Sequence, residues 1–374
     1  MIIRNANVFF HDQGFQQTSI GMEGDRIVSL SGGSGKEIDA SGKYLIPGLI
    51  DLHIHGANNA DFCDGTYEAM ATIGRYEAYQ GVTSFLGTCM TTYPDVLRTS
   101  FQAASAYMDT PVAQGAIMRG INMEGPFLSK EKKGAQLEEC CIPYDDALFM
   151  ELWEISKHRI KLMDICPEYE GNLDAIEKVS KLTTVSLAHT TADYELSKEA
   201  FRRGATHVTH LFNAMPPFHH RKPGLIGAAI EDANQVEMIC DGYHLHPAVV
   251  KAMFQIFAPQ RRICMISDSL RAAGMADGVY ELGGQEVHVQ NGHATLADGT
   301  IAGASICLME ALQTAIGYGL PIHDAITAAT YTPARVLGLE KEIGSIQPGY
   351  RADCVLLNED FSVANVILGG EVIR

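Results

Sequence analysis

The chain has 374 residues, 46% of them hydrophobic and 20% charged, and a formal net charge of −17. That length holds one large domain or two of ordinary size with ample apolar material for a core, as expected of a soluble protein. The acidic balance, with no long Lys/Arg cluster to offset it, excludes nucleic acid as an expected partner, and no segment approaches the roughly 20 apolar residues needed to cross a membrane.

The N-terminus, Met-Ile-Ile-Arg-Asn-Ala-Asn, lacks the charged-then-apolar-then-small pattern of a secretory signal. Residues 2–9, 17–22 and 26–30 read as short strands separated by Glu23-Gly24-Asp25, with Ser31-Gly32-Gly33 closing the series. The tail has the same character: residues 353–357, 363–368 and 371–374 are brief β-like runs, with Gly369-Gly370 as a turn. Neither end has enough apolar residues for its own core. The economical expectation is one small β-sandwich domain made from both termini, residues 1–47 and 337–374, with everything else inserted between them.

The middle has another rhythm. Apolar strand-like runs fall at 45–52, 82–87, 116–123, 160–165, 184–188, 206–210, 236–240 and 263–267. Helix-like stretches lie between them, at 67–80, 143–158, 172–181, 194–203 and 247–257. This alternation predicts an α/β fold, a (β/α)8 TIM-type barrel over residues 48–336. A doubly wound open sheet is the competitor, but no GxGxxG follows the first strand. Polar residues close five of the runs, and only a closed barrel brings such ends to one mouth. Residues 278–300 look like an inserted pair of β-hairpins. The nine cysteines are odd in number and lack pairing rhythm, which points to a reducing cytoplasm.

His53 and His55 end the first barrel run at i and i+2, so on a strand their rings share a face, ready to chelate a metal. Alone such a triplet is weak evidence. Its weight comes from Glu124, His189, His210 and Asp268, each placed just after another apolar run. A buried carboxylate such as Glu124 needs a cation or hydrogen-bond donors beside it. Asp268 could take a proton from an attacking water and hand it to a leaving nitrogen; the alternative is a helix cap on Ser269-Leu270. A divalent metal would polarise a carbonyl and acidify water, so the constellation suits amide hydrolysis. His207, three residues before His210, reads as structural. His244 and His246 form a second HxH in a loop, where His244 suits substrate contact better than metal binding.

The residues then resemble the amidohydrolase superfamily and, within it, the N-acetylglucosamine-6-phosphate deacetylases. The markers are Pro47-Gly48-Leu49-Ile50-Asp51-Leu52-His53-Ile54-His55-Gly56, Glu124-Gly125-Pro126-Phe127, Lys133-Gly134-Ala135-Gln136, Ala188-His189-Thr190, Thr209-His210-Leu211-Phe212-Asn213-Ala214-Met215, Pro223-Gly224, Asp241-Gly242-Tyr243-His244, Ser267-Asp268 and Asp298-Gly299-Thr300-Ile301-Ala302-Gly303. The resemblance implies that Glu124, His189 and His210 hold the main catalytic metal and that Asp268 is the acid/base. It puts Ala135, Gln136, Asn213, Ala214, His244, Ile301, Ala302 and Gly303 around an amino sugar, with Arg221 on its phosphate. It further implies hydrolysis of the acetamide to glucosamine 6-phosphate and acetate, and a homodimer in which the arginine reaches in from the neighbouring subunit. With His53 and His55 both present, a second ion bridged by Glu124 is expected. Zinc leads the choices, and iron, manganese and cobalt suit the same N/O donors. Gln136 stands where some relatives have histidine, and it cannot become cationic. The competing readings are a deacetylase of another N-acetyl-hexosamine 6-phosphate such as galactosamine, a hydrolase of cyclic amides, and a non-catalytic sugar-phosphate-binding barrel.

Overall fold

The computed structural model describes residues 1–374. Eight parallel strands, Leu49–Ile54, Val82–Cys89, Ile117–Met123, Ile160–Ile165, Thr184–Leu187, His207–Val208, Gln235–Ile239 and Ile263–Ile266, lie side by side in chain order. They are buried along most of their length because both faces are covered, one by the barrel interior and one by helices. The eighth strand rejoins the first just beyond its end: the Asp268 amide donates to the His53 carbonyl at 3.1 Å and the His55 amide to the Ser269 carbonyl at 2.9 Å. That closure brings all strand ends to one mouth.

Helices Tyr67–Tyr79, Asp146–Ile155, Asn172–Val179, Tyr194–Arg202 and Pro247–Phe257 fall where the apolar periodicity predicts them. Their starts are written in the sequence. Thr66, Asp145 and Asp193 each accept a hydrogen bond from a first-turn amide, satisfying donors the helix itself cannot.

The first predicted barrel strand needs correction. The run 45–52 is split in two: Tyr44–Pro47 belongs to the terminal sheet and only Leu49–Ile54 to the barrel. Gly48 is the joint. A Cβ there would overlap the Thr83 side chain, so the crossing between the two sheets fits only glycine. Apolar content cannot reveal such a split, since both halves are buried.

Strands from both ends of the chain form one eight-stranded sheet, in which Cys354–Leu357 pairs antiparallel with Tyr44–Pro47. The sheet curls on itself. The Ile27 amide donates to the Tyr350 carbonyl at 2.9 Å and the Ala352 amide to the Asp25 carbonyl at 2.8 Å. Its two ends thereby share one apolar cluster containing Ile3, Val8, Ile20, Ile27, Leu356 and Ile367. Leu337 and Ile343 pack instead with Ile50, Leu52 and Leu86 of the barrel, while Ile346 joins the terminal sheet. The insertion at 278–300 is a three-stranded antiparallel sheet, Gly278–Leu282, Gln285–Gln290 and His293–Thr295. No helix is long and apolar enough to cross a membrane.

Candidate active site

Glu124 follows the third strand at the mouth and is 2% exposed. Its two oxygens face different histidine pairs. Oε1 lies 3.1 Å from His189 Nε2 and 2.9 Å from His210 Nε2, while Oε2 lies 3.2 Å from His55 Nε2 and 3.6 Å from His53 Nε2. Two groups of donors result, His53-His55-Glu124 and Glu124-His189-His210, each with its atoms within 4.8 Å of one another. This donor set fits divalent cations: all are imidazole nitrogens or a carboxylate, buried, and joined by one carboxylate that turns an oxygen to each group.

The local backbone explains how the strands deliver these groups. His53 and His55 follow from strand alternation alone. His189, His210 and Asp268 lie just past their strands in the left-handed region, with φ of 41°, 26° and 52°. Such conformations cost of order 1–3 kcal/mol each and persist only where surroundings enforce them. Here the Ser129 amide donates to the His189 carbonyl at 3.0 Å, Asn213 to His210 at 2.9 Å, and Ala304 to Asp268 at 2.8 Å. Gly125, at φ 101°, turns the chain after Glu124, where a Cβ would overlap Thr91.

Asp268 begins no helix, so the capping alternative falls away. Its Oδ1 sits 3.3 Å from His55 Nε2 and 3.5 Å from His53 Nε2. Burial works against the charged carboxylate, but the hydrogen bond from His55 and the nearby imidazoles prevail and hold it below its ordinary range. Burial likewise opposes the charge on Glu124, and His53, His189 and His210 outweigh it, keeping the carboxylate well below the ordinary range. In the metal-free protein His55 is pushed up to about 9, since Asp268 and Glu124 overcome its burial.

A cavity of about 250 Å³ opens above this cluster. Its wall includes His55, Glu124, His189, His210 and Asp268 together with Ala135, Gln136, Asn213, Ala214, His244, Ile301 and Gly303. His53 lies beneath them, fully buried. Ala302 is also fully buried and turns from the cavity into a cluster with Ala135, Leu270 and Leu282. Its small side chain supports the wall from behind. Arg221 is exposed, outside its own chain's cavity, and donates to His220 Nε2 at 2.6 Å. His244 is held by Asp241, whose Oδ2 accepts from Nδ1 at 2.7 Å. Burial opposes the charged ring, yet the Asp241 hydrogen bond raises it above the ordinary histidine value.

Gln136 has both ends of its amide engaged. Its Oε1 accepts from the Thr91 amide at 2.6 Å and its Nε2 donates to Glu124 Oε2 at 2.8 Å. As it stands it braces Glu124 with one Nε2 hydrogen, which leaves the second for a substrate carbonyl.

Several contributors escape sequence reasoning. Met90 and Leu282 line the cavity, Leu282 arriving from the inserted sheet, and so do Gly134 and Thr300, which stand within the sequence markers but carry no expected role. Beneath it, Asn122, Asp164, His207 and Glu237 are fully buried. The one available signal is a polar residue interrupting an otherwise apolar strand, as Glu237 does between Val236 and Met238. His207 is structural as read, bonding Ser186 Oγ at 3.0 Å.

Residues 44–373 match the Amidohydrolase family. The chain is 35% identical over 343 residues to N-acetylglucosamine-6-phosphate deacetylase of Bacillus subtilis (strain 168), covering 90% of this chain and 86% of that one. It is 31% identical to N-acetylgalactosamine-6-phosphate deacetylase of Escherichia coli O157:H7, covering 88% of each. Among solved structures, a mutant N-acetyl-D-glucosamine-6-phosphate deacetylase from Mycobacterium smegmatis, in complex with N-acetyl-D-glucosamine-6-phosphate, superposes with TM-score 0.93 at 29% identity, covering 100% of this chain and 98% of that one. Fold, donor cluster and relatives agree: this chain belongs to the amidohydrolase family.

Proposed function

We propose that the protein hydrolyses the acetamide of N-acetylglucosamine 6-phosphate to glucosamine 6-phosphate and acetate. The observation that carries this reading is Asp268, an anionic carboxylate on the wall of a sugar-sized cavity, beside a carboxylate shared by four imidazoles. Glu124, His189 and His210 would hold one divalent ion and His53, His55 and Glu124 a second; zinc leads the candidates. A cation there supplies Lewis acidity, drawing charge from the acetamide carbonyl. Asp268 accepts the proton of the attacking water and returns it to the departing nitrogen, so that the amine leaves neutral. Ala135, Asn213, Ala214, Ile301 and Gly303 shape the sugar site, Ala302 backs it, and His244 donates to a hydroxyl or the acetyl oxygen. Gln136 steadies Glu124 and the acetyl group.

Arg221 takes the phosphate from the cavity of a second subunit in a homodimer. Its exposure and its loop position between Phe218 and Pro223 support that role. A guanidinium grips phosphate with paired hydrogen bonds. Arg221→Ala should therefore cost about 2–4 kcal/mol on phosphorylated substrates and almost nothing on the poor unphosphorylated sugar. The same reading puts the enzyme in the cytoplasm and divides the chain into a catalytic barrel, 48–336, and a small β domain, 1–47 and 337–374, whose Leu337 and Ile343 pack on the barrel.

Acetate release from a panel of N-acetyl-hexosamine 6-phosphates tests the proposal. The glucosamine epimer should be fastest. The relative that acts on the galactosamine epimer gives the second reading, and a preference for that substrate would establish it.

A further inference from the structure

The four imidazoles around Glu124 differ in what holds their far nitrogen. His55 Nδ1 lies 3.2 Å from the Thr88 carbonyl and His189 Nδ1 lies 2.7 Å from the Lys132 carbonyl. His210 Nδ1 has no partner. His53 alone meets a carboxylate: its Nδ1 is 3.1 Å from Glu237 Oε2, and both side chains are fully buried.

From this we infer that Glu237 is a positioning residue for the ion held by His53, His55 and Glu124, acting by fixing the His53 ring and its tautomer; the inference rests on the two-ion reading above. The Glu237 oxygen facing Nδ1 takes a hydrogen bond from it, so in the neutral, metal-binding ring of His53 the single proton sits on Nδ1. Nε2 is then left with its lone pair, pointing to His55 Nε2 at 3.3 Å and Glu124 Oε2 at 3.6 Å. The opposite tautomer would put a proton where an ion must bind. Asn122 sits 3.3 Å from the same Nδ1 through its amide nitrogen, a donor that would favour that wrong tautomer. The Leu52 carbonyl takes one hydrogen of that amide at 3.2 Å, and against the second the nearer carboxylate of Glu237, at 3.1 Å, decides the matter.

Glu237 is itself fixed. Its Oε2 accepts from the His210 amide at 3.3 Å and its backbone carbonyl accepts from the Leu211 amide at 2.8 Å. One side chain thereby touches a member of each donor group, by a side-chain bond on the His53 side and by a backbone bond on the His210 side. The carboxylate also makes the His53 ring a stronger donor than its neighbours, which lean on neutral carbonyls or nothing. The two ions should therefore respond differently to its loss.

The test is a zinc titration of the purified full-length protein, counting ions per chain and measuring the affinity of each. In the wild type two ions bind. In Glu237→Leu, which removes the acceptor, the ion at His53, His55 and Glu124 should lose affinity by about 100-fold, and in Glu237→Gln, which keeps an acceptor but not its charge, by about tenfold. The ion at Glu124, His189 and His210 should change less than about threefold in both, and the melting temperature should not track the loss. Wild-type affinities for both ions in a cooperatively melting Glu237→Gln protein overturn the inference even where Glu237→Leu does not fold. Equal weakening of both ions overturns it as well, since that marks a general structural role. A wild type that binds a single ion ends the two-ion reading itself, a different outcome from two ions indifferent to residue 237.

Discussion

His53 and His55 stand two residues apart at the end of one strand, whereas His189 and His210 come from two different strands and reach Glu124 through left-handed backbone. The first pair uses ordinary alternation and adds a buried carboxylate, Glu237, behind one ring. The second pair relies on strain held by backbone hydrogen bonds at 3.0 and 2.9 Å, and both of its rings line the cavity. A regular strand gives cheap chelation but points one of its two rings below the cavity floor. Strained strand ends give access to substrate. The second pair should therefore dominate catalysis and the first should tune it.

The strongest way to break this contrast is at His210. His210→Ala should remove the ion on Glu124 Oε1 and lower kcat/KM by about 10³-fold or more. Elemental analysis alongside acetate release checks both. Full metal content and rate would mean that the strained pair is not the catalytic half.

Asp268→Asn comes next. It keeps the size and removes the proton acceptor, so kcat should fall by about 10² or more with bound metal unchanged. Wild-type turnover would return Asp268 to a structural role. His53→Asn sharpens the comparison from the other side. We expect loss of one ion, retention of the other, and about a twofold fall in rate. Unchanged metal and rate would leave a one-ion enzyme with a decorative HxH.

The smallest effect concerns pH. In the metal-free protein His55 is raised to about 9 from an ordinary 6.5. A raised folded-state pKa contributes stability that is complete below about 6.5 and is lost as pH rises through about 9. The chelated protein should therefore melt progressively lower across that window. The metal-loaded protein, whose imidazoles are neutral already, should not share this decline, and parallel melting curves would contradict the assignment.

What was legible in the sequence follows the same divide. The HxH pair could be read because strand alternation alone sets its geometry. His189, His210 and Asp268 could be placed at strand ends, but nothing in their neighbours announces a φ of 41°, 26° or 52°. Those angles are imposed by contacts distant in sequence, such as Ser129 on His189. Glu237 was hidden differently. A charge inside an apolar run reads as an interruption until the facing His53 is seen 184 residues away. The split at Gly48 was illegible because two buried strands in succession look like one. Gln136 can be read as a pocket residue, yet its engagement by Thr91 and Glu124 depends on closure of the barrel.

The most direct single measurement is acetate release from N-acetylglucosamine 6-phosphate by one preparation, chelated to metal-free and then titrated with zinc. The account predicts no release before zinc and most of the rate restored with the first equivalent, bound by Glu124, His189 and His210. The second equivalent should add a smaller increment. Full acetate release from verified metal-free protein would contradict it.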